Sequence, residues 1–183
     1  MIDPASGPFL FDTSAESCLG HPQSAAEAEW VVTYSAQFPM YVAVLTVVER
    51  ARGYFMLIES AGPVRRVEVK RNLVEYVHSF EIHSRALNLT VPIALLAAQL
   101  MSLCPHPPSP PRHSHQAIES RQDRLSRWRF DVMIAATALA HNLPLIHNDP
   151  QDFEPLRAVI ERIPERFPGV GPLNLISVKR LAS

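Results

Sequence analysis

The sequence predicts an α/β fold, a mostly parallel sheet with helices on both faces. Three observations predict it. Short apolar runs recur at residues 8–11, 40–45, 85–91, 143–146 and 173–177, and segments with helical spacing lie between them, so strands and helices alternate along the chain. The segment 130–139 is apolar or small around its whole helical circumference except for Asp131 and Thr137, as suits a helix buried on most sides. The chain has 183 residues, 47% apolar and 19% charged, which is enough to fill the core of one domain over 1–183.

The elements follow in order. Residues 1–7 read as a loose lead-in, and Pro8-Phe9-Leu10-Phe11 as a first, central strand that ends at Asp12. A polar connection with Gly20, His21 and Pro22 leads to a helix over 24–38, capped at Ser24. The β-branched run 40–45 is a strand; Thr46, with Glu49 three residues on, has the form of a capping box opening the next helix. A charged helix over 63–80, a strand over 85–91 and a nearly all-apolar helix over 92–103 come next. Residues 104–115 hold five prolines and three histidines and read as a surface loop; His106, His113 and His115 lack the fixed spacing of a metal cluster. In the stretch 124–153 a buried helix stops at Asn142 in a left-handed turn, and a short strand delivers Asp149 before Pro150, the pattern of an N-cap followed by proline. A last helix over 149–166 and a strand over 173–177 close the sheet.

Composition narrows the function. No run approaches the ~18 uncharged apolar residues of a membrane span, and the N-terminus lacks a signal-peptide layout, so a cytoplasmic protein with no membrane partner is expected. Cys18 and Cys104 form neither metal spacing nor a disulfide framework, which suits free thiols in a reducing compartment. The net charge of −1 gives no overall pull toward nucleic acid, although 15 of the 17 cationic residues are arginine, the side chain suited to forked phosphate contacts.

Four carboxylates stand out by context. Asp12 ends a buried strand, Glu49 lies in the helix after the second strand, Asp131 interrupts an apolar helix, and Asp149 follows a late strand. Ligand crevices of open parallel sheets lie at the carboxyl ends of strands, where Asp12 and Asp149 emerge. Acids gathered there repel one another unless a hard cation such as Mg²⁺ or Mn²⁺ joins them, and such a cation can polarise a phosphodiester and activate a water. Each acid has a plainer reading beside this one: a turn residue for Asp12, a cap partner of Thr46 for Glu49, an ion pair with Arg127 for Asp131, a helix cap for Asp149. Asp152 rivals Asp149 as the fourth acid. Arg124 and Arg127 share a helix face with Asp131 and could hold the phosphates of a polyanionic substrate, or simply face solvent.

The segments FLFDTS, LTVVERARG and DVMIAATALAHNLPLIHNDPQDF, in that order and at these separations, resemble the PIN-domain ribonucleases, and among them the VapC-like toxins of bacterial toxin–antitoxin pairs. The resemblance implies a three-layer sandwich of parallel sheet and helices whose acidic pocket binds Mg²⁺ or Mn²⁺ and cuts single-stranded RNA. It implies Asp12, Glu49 and Asp131 as metal ligands, Asp149 as the fourth acid, and Ser14 and Asp152 as supports around them. It further implies a homodimer and a cognate antitoxin that drives an arm across the acidic cleft. The sequence departs from the family pattern at His147, where relatives commonly carry threonine, and in the 104–115 loop. A catalytically inactive PIN-like interaction module is the alternative; it requires that no divalent cation bind.

Overall fold

The structure, a computed structural model, describes residues 2–82, 84–108, 110 and 119–181; His113, His115 and much of the proline-rich stretch lie outside them. Its strands are β1 (Leu10–Phe11), β2 (Met40–Ala43), β3 (Ser84–Leu87), β4 (Leu145–His147) and β5 (Leu175–Ser177). They form one five-stranded sheet in the order β3-β2-β1-β4-β5, and every neighbouring pair is parallel. The α/β reading therefore holds, with a sheet that is wholly parallel among the described residues. The helices are α1 (Thr13–Leu19), α2 (Ala25–Ser35), α3 (Val44–Ser60), α4 (Pro63–Ile82), α5 (Val91–Leu103), α6 (Arg121–Ala140) and α7 (Pro150–Arg162).

The two-residue period of a strand splits the core into two layers. Leu10, Ala43 and Leu145 point to one face and pack with Val132, Ala135 and Leu139 of α6 and Leu156 of α7. Their neighbours Phe9, Phe11, Val42 and Ile146 point to the other face and pack with Leu19 of α1 and Trp30 and Tyr34 of α2. Strands covered on both faces have no solvent-facing residues to alternate with, which is why they read as continuous apolar runs. On α6 the residues from Ile134 to Leu139 are all buried, as the unbroken apolar circumference requires.

Several expectations change. The lead-in is ordered: Pro4–Ser6 form a 3-10 turn capped by Asp3, and the Trp30 indole donates to the Ile2 carbonyl at 2.8 Å. The connection after Asp12 is the helix α1, too short to show periodicity. The capping box at Thr46 does not form. Helix α3 starts at Val44 with Ala43 as its N-cap and no side-chain cap, and Thr46 is buried inside its first turn. No helix among the described residues is long and apolar enough to cross a membrane.

Candidate active site

Strand order fixes where a ligand would sit. From β1 the chain runs outward through β2 to β3, then crosses to β4 and β5 on the other side. The switch point lies between β1 and β4, and the crevice opens at their carboxyl ends. Asp12 is the first residue beyond β1; its N–H donates to the Ile146 carbonyl at 3.0 Å, so the sheet ladder itself holds its backbone. Asp12 also caps α1, accepting from the Ala15 N–H at 2.6 Å and from the Ser14 hydroxyl at 2.9 and 3.0 Å. Asp149 follows β4 and caps α7, accepting from the Gln151 N–H at 3.1 Å, and Asp152 stands in the first turn of that helix.

These acids meet at one cavity of about 270 Å³, which Asp12, Ser14, Glu49, Asp131, Asp149 and Asp152 line. Glu49, a lining residue of the cavity, accepts a hydrogen bond from the Thr13 hydroxyl, an orientation open to it because the capping box with Thr46 does not form. Thr13, Ser17 and Arg50 also line the cavity and were not singled out in the sequence. Thr13 had one available signal, its place between Asp12 and Ser14. Arg50 had none, because its partner Glu16, at 3.0 Å, belongs to the unforeseen helix α1.

The electrostatics are those of crowded acids. Burial pushes the Asp12 carboxyl up to about 7 against the hydrogen bonds from Ala15 and Ser14, with the charges of Glu49 and Asp152 adding to the rise. Asp131 is raised well above the ordinary carboxylate range, first by burial and then by Asp152, Glu49 and Asp12. Its Oδ2 is buried with no hydrogen-bond partner among the described residues. The ion pair of Asp131 with Arg127 is not made. Arg127 turns to Asp152, at 3.0 and 3.2 Å, and to Glu119, at 3.2 Å for each contact. A guanidinium forked onto two carboxylates is a brace for the cavity wall rather than a waiting phosphate contact, and Arg124 is not among the lining residues. Of the two rival acids, Asp152 is 3% exposed and raises both Asp12 and Asp131, whereas Asp149 is half-buried and figures in neither shift. His147 is buried against Phe153, with ring centroids 5.4 Å apart, and burial lowers its pKa.

Among the described residues no three His, Cys, Asp or Glu side chains are arranged to hold a metal ion as they stand. The donor chemistry still fits one mode of binding. Mg²⁺ keeps several waters and is held through one or two carboxylates rather than a closed cage. The orphaned Asp131 Oδ2 is an oxygen that such an ion would satisfy.

No protein-family model matches the chain, and no curated protein does. Solved structures do. The crystal structure of VapBC2 from Rickettsia felis bound to a DNA fragment from its promoter is similar at a TM-score of 0.56 and 10% identity, over 92% of this chain and 97% of that one. FitAB bound to the IR36 DNA fragment is similar at 0.58 and 19% identity, over 93% and 95%. DNA-bound VapBC from Salmonella typhimurium is similar at 0.54 and 16% identity, over 93% and 97%. With a five-stranded parallel sheet between helical layers and near-complete coverage of these VapBC and FitAB chains, this chain has the PIN-like fold.

Proposed function

We propose that the chain is a Mg²⁺- or Mn²⁺-dependent endoribonuclease that hydrolyses phosphodiester bonds of single-stranded RNA and acts as the toxin of a toxin–antitoxin pair. The observation that carries this reading is the convergence of Asp12, Glu49, Asp131 and Asp152 on one cavity at the switch point of the sheet. A bound divalent cation supplies Lewis acidity at a phosphoryl oxygen and relieves the repulsion among the acids. Asp12 and Asp131 would hold it. Ser14 and the Ala15 N–H fix the rotamer of Asp12, and Arg127 fixes Asp152. Glu49 and Asp149, which line the same cavity, would take a proton from an attacking water. The likeness to VapBC and FitAB supports an antitoxin partner, and a homodimer belongs to the same reading.

The test uses purified chain, Mg²⁺ and single-stranded RNA. Wild type is expected to cleave internally, and Asp12→Asn and Asp131→Asn each to lower the rate by at least about 100-fold, the scale of losing one preorganised charge-stabilising group. Equal RNA integrity with wild type, both variants and no protein would overturn this reading in favour of an inactive interaction module.

A further inference from the structure

The acid cavity does not end at the acids. Thr13, Glu49 and Arg50 also line a second pocket of about 420 Å³, whose far walls are His21, Tyr54 and Asn72. Arg50 forms the boundary between the two. Its guanidinium is anchored by Glu16 at 3.0 Å and the Ser17 hydroxyl at 3.2 Å, and it lies 5.7 Å from the Tyr54 ring centre and 5.6 Å from that of Tyr76. Tyr54 is half-buried and backed by Tyr76, with ring centres 5.7 Å apart, which fixes its plane. Asn72 is half-buried, and its amide makes no hydrogen bond among the described residues, an unused donor and acceptor at the pocket wall. The pocket on the opposite flank, about 610 Å³, carries the carboxylates of Glu49, Glu119 and Asp123 against the guanidiniums of Arg52 and Arg127, the latter already paired to Glu119 and Asp152, a balance that stays negative and disfavours a polyanion. The Tyr54 side has a single carboxylate, Glu49, and two basic side chains, Arg50 and His21.

We propose that the Tyr54 pocket is a subsite for one nucleobase of the RNA strand, beside the phosphate that enters the acid cavity. Tyr54 is the stacking face, Asn72 reads the base edge, and Arg50 contacts the intervening phosphate. The inference rests on the ribonuclease reading for its substrate class. Single-stranded nucleic acid is held by aromatic faces next to cations, and sequence is read by hydrogen bonds to base edges splayed from the strand. A ring, an unpaired amide and an arginine at one pocket mouth supply those three contacts. Gly53 opens the space: a Cβ built there meets nothing within 4 Å, and the residue lines the pockets on both flanks.

The test measures binding of hexamers of A, C, G and U to wild type and to Asp131→Asn, in Mg²⁺, by fluorescence anisotropy. The same measurement follows for Tyr54→Ala, Tyr54→Phe and Asn72→Ala on the Asp131→Asn background. A preference among the four bases is expected, with about tenfold weaker binding in Tyr54→Ala and near wild-type binding in Tyr54→Phe, which keeps the ring. Asn72→Ala should flatten the base preference by about fivefold, the worth of one hydrogen bond, and leave the thermal midpoint unchanged. Equal binding of all four hexamers, unaltered binding in Tyr54→Ala and Asn72→Ala, or no RNA binding by wild type or Asp131→Asn would overturn the proposal. Base-selective binding without cleavage by wild type sinks the nuclease reading and leaves the subsite standing. Cleavage without base preference does the reverse.

Discussion

Asp131 owes its place to an imbalance that its neighbours do not cure: a half-buried residue whose inner carboxylate oxygen has no hydrogen-bond partner among the described residues, with three other acids raising its pKa. Asp12 shares that imbalance in a form whose pH window can be stated. Its carboxyl titrates near 7 in the folded chain against 3.8 ordinarily. Between about pH 4 and about pH 7 the folded chain therefore retains a proton that the unfolded chain has released, so stability falls as pH rises through that window. In chelator, the thermal midpoint is expected to drop from pH 5 to pH 8, and added Mn²⁺ should restore it at pH 8 but not at pH 5. Asp131→Asn should raise the midpoint at pH 8 in chelator by about 2–4 °C, as relief of roughly 1 kcal/mol would in a chain of this size; a fall would mean that the carboxylate is not a strained group. Asp131 was legible in the sequence because a carboxylate inside an apolar run is anomalous, and Asp12, Glu49 and Asp149 because each follows a strand. The partner of Arg127 was not. Spacing rules point to Asp131 four residues on, whereas the contacts are Glu119 and Asp152, eight and 25 residues away, and only the packing of α7 against α6 brings Asp152 within reach.

At the scale of elements, α6 carries the account. Its composition announced burial, and its end was legible in one residue: Asn142 adopts φ 51°, a left-handed conformation that Asn tolerates and β-branched residues do not. Asn142→Val should cost about 1–2 kcal/mol and Asn142→Gly almost nothing, as read by urea unfolding. Ala136, fully buried within the helix, leaves no room for growth; Ala136→Leu should cost about 1–3 kcal/mol by overpacking. Elements were misread where local chemistry had two solutions. Thr46 and Glu49 have the spacing of a capping box, yet β2 passes into α3 without a turn, so the helix begins two residues before Thr46 and Glu49 is released to the cavity. Helix α1 has seven residues and two buried side chains, too few to show a period. Its one sequence signal was Asp12 followed by Thr13 and Ser14, a cap, and that residue had already been assigned to the site. The two roles coexist, because the Asp12 oxygen that caps Ala15 leaves the other facing the cavity alongside the Ser14 hydroxyl.

Across the whole molecule, alternating strands and helices made a parallel sheet legible, but not the order of its strands. That order places β1 between β2 and β4 and so sets Asp12 opposite the α7 acids. With β4 at an edge, the same residues would make four separate surface carboxylates. The central claim is that this topology builds one cation pocket from acids of β1, α3, α6 and α7, and calorimetric titration of Mn²⁺ at pH 8 into wild type, Asp12→Asn and Asp131→Asn tests it most directly. The account predicts saturable binding by wild type and affinity at least about tenfold lower in each variant. One shared isotherm for all three proteins, or no heat from any of them, would contradict it.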